Sequence, residues 1–341
     1  MLVVVTTAKD TLANLERFVR RNLLAGVDHL VVFLDAEQPE VVERFAADPH
    51  VTCVEAWDDG WWGPEERPGL NGRQNRNAGV VNVVLTLFPW ATWLFHVDAD
   101  EVVHANRRRL ERLDPSHEVV LLRVLESVSH EDAEAEGGWF KRRLGPSERA
   151  LLVERGHARA RTNALYFRGH LTGKSGWRPS LDLRAAVHKP LGPDGVAIDG
   201  LEAGWLRVLH LESPSPQEFA RKWVNLVEAG LDTMAIRPGR RHVATEVRAL
   251  LDRGAPPDVV EETLARVYDE TVRDPFPELR DLGLLVRVDL DAPRYRPREV
   301  PAADLDRFRA LVRGAGGLDK SGLLRAGRAD VLARIVGAVD G

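Results

Sequence analysis

Residues 91–106, ATWLFHVDADEVVHAN, decide how the chain reads. Trp93, Leu94, Phe95 and Val97 are what a buried strand requires, yet Asp98, Asp100 and Glu101 follow at once. Carboxylates this close repel one another and resist desolvation, so they stay ionised only where water, a cation or another positive group compensates them. Either the strand surfaces and its acids are solvated, or the acids hold a metal.

Working outward, the first hundred residues alternate in a regular way. LVVVT (2–6), HLVVFLD (29–35) and VTCVEAW (51–57) are short apolar runs with the composition of strands. Between them, Asp10 or Thr11 can cap a helix whose Leu12, Leu15, Phe18, Val19 and Leu23 share one face, closed by Gly26. PEVVERFAAD (39–48) reads as a short helix with proline near its start, and a further helix is expected over roughly 74–88, stopped near Pro89. Strands alternating with amphipathic helices predict an α/β protein with a mostly parallel sheet flanked by helices. Ligands of such sheets bind at the carboxyl ends of the strands. That rule gathers Thr6, Thr7 and Lys9, then Asp35, then Asp58 and Asp59, then Asp98 and Asp100, into one cleft suited to a nucleotide.

Two phosphate motifs are absent. No G-x-G-x-x-G follows the first strand, which disfavours hydride transfer, and GHLTGKS (169–175) has Arg168 where the Walker spacing requires glycine. From 118 to 212, the runs EVVLLRVL, ALLVERG, ALYFRG, RAAVHKP and WLRVLHLES read as further strands, and from about 216 the texture becomes helical. All nine tryptophans occur by Trp223. The expected division is therefore a catalytic domain over 1–230 and a helical C-terminal extension over 231–341.

Composition narrows the function classes. A chain of 341 residues that is 44% hydrophobic can bury a sizeable core. With 47 basic against 52 acidic residues the net charge is −5, so no overall basic field favours nucleic acid or an anionic membrane surface. Cys53 is the only cysteine, which excludes an intrachain disulfide. No apolar run approaches membrane-spanning length, and a cytoplasmic location is the expectation.

Four stretches, in order, carry a resemblance: VVVTTAKDTLANLERFVRRNLLAGVDHLVVFLD (3–35), RQNRNAGVVNVVLTLFPWATWLFHVDADEVV (73–103), GKSGWRPSLDLRAAVHKP (173–190) and LHLESPSPQEFARKW (209–223). Together they resemble GT-A glycosyltransferases, a Rossmann-like fold, and are most similar to family 2-like bacterial members and the related family 92 group. The resemblance covers roughly residues 1–228. A lone D-x-D is weak; D-x-D at a strand end after three β/α units, with a late strand-terminal histidine, is more specific. Where these families often have Asn-Glu after the first-strand lysine, Lys9 is followed here by Asp10, and no role is carried to that acid.

The resemblance implies a metal-dependent transferase of hexosyl type that moves a sugar from a nucleoside diphosphate sugar, a UDP-sugar in the first instance, to a hydroxyl acceptor with inversion. Mn²⁺ or Mg²⁺ is the implied cofactor, because hard oxygen ligands and diphosphate oxygens suit these ions. Asp98 and Asp100, two positions apart on an extended segment, are expected on one side to engage the ion, with Glu101 turned away as a surface or supporting acid. His210, ending the strand WLRVLHL, is the implied third ligand, although by itself such a histidine is more often structural. Donor contacts are expected from Thr6, Lys9, Asp35, Arg73, Arg76, Asn77, Asp98, Lys174, Trp177 and His188. Lys174 and Arg178 can hold the diphosphate or be solvated loop charge; Trp61, Trp62 and Trp177 can stack on a sugar or pack in the core. Inversion needs a carboxylate base, and Glu126 and Asp182 are the candidates. A homodimer built through the C-terminal helices is compatible with this reading. Two other classes remain open: a haloacid dehalogenase-like phosphohydrolase, whose first Asp is a nucleophile, and a catalytically silent nucleotide- or carbohydrate-binding module.

Overall fold

A computed structural model describes residues 1–63, 67–135, 138–157, 162–228, 241–325 and 327–341. Among them run strands β1 (Leu2–Ala8), β2 (His29–Leu34), β3 (Val51–Glu55), β4 (Trp93–His96), β5 (Glu101–Ala105), β6 (Val119–Ser127), β7 (Trp139–Lys141), β8 (Lys174–Trp177), β9 (Leu201–His210) and β10 (Leu285–Arg287). The chain groups into two compact units. The first comprises Met1–Arg123, Thr172–Val208 and Asp291–Gly341, and the second comprises Val124–Leu171 and Leu209–Leu290. The domain division expected at 230/231 lies outside the described residues.

In the first unit, β1 is buried at every position, as a central strand of a parallel sheet must be. It pairs in parallel with β2 on one side and β4 on the other, and β2 pairs in parallel with β3. Antiparallel β8 follows β4, and the start of β6 follows β8. The α/β class is thus the one the sequence predicts, with a parallel block of four strands continued by antiparallel ones. Thr11 caps the helix Leu12–Ala25 by accepting the Asn14 N–H, and Gly26 ends it with φ 111°, where a Cβ would press on the Tyr295 ring. The helix expected over 74–88 runs from Leu70 to Leu85.

Residues 291–341 belong to this unit and help to build its core. Phe308, Leu311 and Val312 of the helix Ala302–Arg313, with Val331 and Ile335 of the helix Arg328–Asp340, join Val80, Val84, Trp62 and Trp177 in one buried cluster.

The second unit holds the end of β6 paired antiparallel with β7, which pairs with β10. Its helical core gathers Phe219, Trp223, Leu264 and Tyr268. Three expected strands are corrected. ALLVERG lies in the helix Pro146–Glu154, because Pro146 occupies its first turn and Glu148 reaches back to accept the Gly145 N–H at 2.7 Å. ALYFRG starts in the short helix Asn163–Tyr166, and RAAVHKP makes a single bridge between Arg184 and Leu191. No helix among the described residues is long and apolar enough to cross a membrane.

Two buried histidines make the first unit acid-sensitive. Desolvation, with Arg309 next, holds His29 down to about 3, and desolvation, with Lys174 next, holds His96 down to about 4. Both are neutral in the folded state near neutrality. Below the ordinary histidine value of about 6.5 the unfolded chain takes up protons that the folded chain refuses, so stability falls as pH drops toward 4. Urea midpoints measured from pH 7 to 4 should decline over that window, and His29→Gln should flatten the decline. An unchanged slope in that variant would remove His29 from the account.

Candidate functional site

The first two turns of the helix Leu70–Leu85 tie together the carboxyl ends of three parallel strands. Arg73 reaches Asp35, just past β2, with Nη2 2.6 Å from Oδ2, and Arg67 donates to the Asp35 Oδ1 at 2.9 Å. Gln74 donates to the Asp98 Oδ1 at 2.9 Å, past β4. Asn77, one turn beyond Arg73, donates to the Thr7 Oγ1 at 2.9 Å in β1 and accepts the Trp61 indole N–H at 3.0 Å. Asn77 is fully buried, so it acts as a brace between β1 and the Asp59–Trp62 segment. Gln74 and Arg67 were not singled out in the sequence, since a glutamine and an arginine in a polar stretch carry no motif.

The acids past β4 form a turn. The Glu101 N–H donates to the Asp98 carbonyl at 3.0 Å, and the Glu101 Oε2 accepts the Asp98 N–H at 2.8 Å. The expected extended alternation is therefore corrected: the turn folds Glu101 back toward Asp98, and its side chain is fully buried. Asp98 and Asp100 are half-buried.

Antiparallel pairing of β8 with β4 sets Ser175 opposite His96 and brings Lys174 to the turn. The Lys174 Nζ lies 2.8 Å from the Asp98 Oδ2 and 3.5 Å from the Glu101 Oε2, with its side chain fully buried. Burial pulls this ammonium down, but Asp98, Glu101 and Asp100 outweigh it and hold its pKa above the ordinary lysine value. Lys174 is a permanent cation here. The reading of Lys174 as solvated loop charge is excluded by this burial.

Do these residues fit a divalent ion? Asp98 and Asp100 offer hard oxygens, and because a carboxylate oxygen accepts at more than one site, a hydrogen bond does not bar it from a metal. The Asp98 Oδ2 and Glu101 Oε2 both face the Lys174 ammonium, which gathers acid oxygens at the end of β4. The Thr6 Oγ1, in β1 beside this turn's strand, is buried with no hydrogen-bond partner among the described residues. The donor set fits Mg²⁺ or Mn²⁺.

Other expected contacts are placed as follows. Lys9 is exposed just past β1, and Arg76 is half-buried on the organising helix. His188 lies with Nδ1 2.9 Å from the Gly173 carbonyl, which seats the proton on Nδ1. Trp177 is fully buried in the core with its indole N–H on the Asn82 Oδ1 at 2.9 Å, so it has no face open for stacking; Trp61 and Trp62 are likewise core residues. Arg178 lies over the Trp93 ring at 4.6 Å and donates to the His117 and Leu113 carbonyls. Asp182 is exposed.

The second unit contains Glu126 and His210. Glu126 is fully buried; its Oε1 accepts the Arg168 N–H at 2.6 Å and lies 2.9 Å from the Lys141 Nζ, while Oε2 accepts the Gly169 N–H. Lys141 also lies 2.8 Å from the Asp274 Oδ2. A carboxylate so committed is built as a structural ion pair, not as a base with access to a hydroxyl. His210 lies with Nε2 3.1 Å from the Glu212 Oε2 and stacks on the His170 ring at 5.0 Å.

No protein-family model matches the chain, and no curated protein does. Among solved structures, the apo form of the WbbM bifunctional glycosyltransferase is 14% identical with a TM-score of 0.24, covering 36% of this chain and 23% of that protein's length. The crystal structure of mannose-1-phosphate geranyltransferase from Thermus thermophilus is 14% identical with a TM-score of 0.22, covering 80% of this chain and 71% of that one. Likenesses at these TM-scores carry no assignment. The fold rests on the strands described above, and the resemblance to family 2-like and family 92 enzymes rests on the quoted motifs alone.

Proposed function

We propose that this chain is a metal-dependent glycosyltransferase that takes a sugar from a nucleoside diphosphate sugar to a hydroxyl acceptor, with inversion. The observation that carries the reading is the acid turn past β4, held by Gln74 and the buried ammonium of Lys174, beside the end of β1. Asp98 and Asp100 would hold Mn²⁺ or Mg²⁺, which neutralises the charge that accumulates on a departing diphosphate. The nucleoside would lie across the ends of β1 and β2, near Thr6, Lys9, Asp35 and Arg76. In that role Arg73 and Arg67 orient the Asp35 carboxylate, and Lys174 orients Asp98. Of the two candidate bases, exposed Asp182 meets the access requirement that buried Glu126 does not.

The test is a thermal-shift panel of uridine, guanosine and thymidine diphosphates with and without Mn²⁺. Selective binding to the folded state at a hundredfold excess over Kd stabilises by about 2.7 kcal/mol, an upshift of several degrees. One nucleotide, UDP first, should give that upshift only with Mn²⁺. No shift with any of them would refute the donor reading. Phosphate release from a simple phosphoester would instead select the phosphohydrolase.

A further inference from the structure

The loop past β3 and the chain from 314 to 320 approach more closely than side chains would allow. Gly63 has φ 65°, and a Cβ on it would sit 2.3 Å from the Gly317 carbonyl oxygen. The Gly317 N–H in turn donates to the Trp61 carbonyl at 3.3 Å. The same Trp61 carbonyl accepts from Lys320, whose side chain is fully buried. Its Nζ donates to the Trp61 and Leu318 carbonyls and lies 4.4 Å from the centroid of the Trp61 ring. A desolvated ammonium over an indole face is a strong orienting contact.

Trp61 is the next link. With its ring fixed by Lys320, it donates its indole N–H to the Asn77 Oδ1 at 3.0 Å, which settles the Asn77 amide orientation and points Nδ2 at the Thr7 Oγ1, 2.9 Å away. The chain of contacts therefore runs from residue 320 to the carboxyl end of β1, where Thr6 and Lys9 stand. Each member is buried, so no water can replace a lost partner without rearrangement. We infer that Lys320 is a positioning residue for donor binding, acting through Trp61 and Asn77 on the end of β1, so that residues 291–341 complete the nucleotide site. This rests on the donor site proposed above.

The test measures UDP affinity in the presence of Mn²⁺ by calorimetry for the full chain, Lys320→Met, Trp61→Phe, the double variant and Lys320→Arg, each with its urea midpoint. Loss of one buried hydrogen-bonded link should weaken UDP binding about tenfold in each single variant. The double variant should be no weaker than either single one, because both cut the same series of contacts, and Lys320→Arg should recover most of the affinity. A merely structural role would lower the urea midpoints while leaving the affinity of the folded fraction intact. Unaltered affinity in folded Lys320→Met, or losses that add in the double variant, would overturn the inference. If Lys320→Met does not fold, Trp61→Phe and Lys320→Arg decide: full affinity in the former overturns it, and tenfold loss in the former with near-full affinity in the latter supports it. Absence of UDP binding to the unsubstituted chain overturns the donor site itself, and the relay with it.

Discussion

Asp100→Ala should lose on the order of 10²-fold or more in transfer turnover while remaining folded, by analogy with the loss of one preorganised stabiliser of transition-state charge. Asp100 is the cleaner of the two D-x-D positions to remove. Asp98 accepts from Gln74 and Lys174 and donates its own N–H to the carboxylate of Glu101, so its loss disturbs the turn as well as any ion. Glu101→Gln now carries a larger expected penalty than its place in an alternating strand would imply, because the buried carboxylate holds both the Asp98 N–H and the neighbourhood of Lys174. Turnover against Mn²⁺ concentration, with circular dichroism as the folding control, separates these effects. Full activity of well-folded Asp100→Ala in chelator would leave the acids as a compensated strand end and nothing more.

Lys141→Met should destabilise the second unit by about 3–5 kcal/mol, the range for removing one partner of a buried ion network. Lys141 has no exposed side-chain surface and lies between Glu126 and Asp274, themselves closed off from solvent. Taking away the ammonium removes the cation beside the buried Glu126 carboxylate and leaves Asp274 with Arg168, whose Nη2 lies 3.3 Å from its Oδ1. Glu126→Gln should cost less, since the amide can still accept the Arg168 N–H and Lys141 keeps Asp274 as its partner. Denaturant midpoints of both variants check this ordering. A Lys141→Met shift below that of Glu126→Gln would contradict it.

How much of this could be read from the residues alone follows from what kind of signal each element carries. The parallel block was legible because β1, β2 and β4 are buried on both faces and so appear as unbroken apolar runs. ALLVERG misled for the same reason in reverse: an apolar triplet fits a strand or a helix, and the deciding signals, Pro146 and Glu148, stand before it. Asp98 and Lys174 were both legible as members of one site, but their pairing depends on the β4–β8 register, which no local pattern encodes. Glu101 is misplaced by extending the alternation of β4 beyond His96, through a turn closed on the Asp98 carbonyl, to the first residue of β5. Trp177 was ambiguous until its burial and its bond to Asn82 were seen. Lys320 was invisible: a single lysine among glycines in 314–322 looks like a solvated loop, and only long-range packing places it under Trp61.

A divalent ion and a nucleoside diphosphate are expected to meet at the Asp98–Glu101 turn. Crystals grown with Mn²⁺ and UDP test it most directly, because anomalous scattering locates the ion without reference to the protein density. The expected result is a manganese peak beside the Asp98 and Asp100 carboxylates, with the uridine across the ends of β1 and β2. A UDP molecule bound away from these strand ends, or a manganese peak away from Asp98 and Asp100, would contradict it.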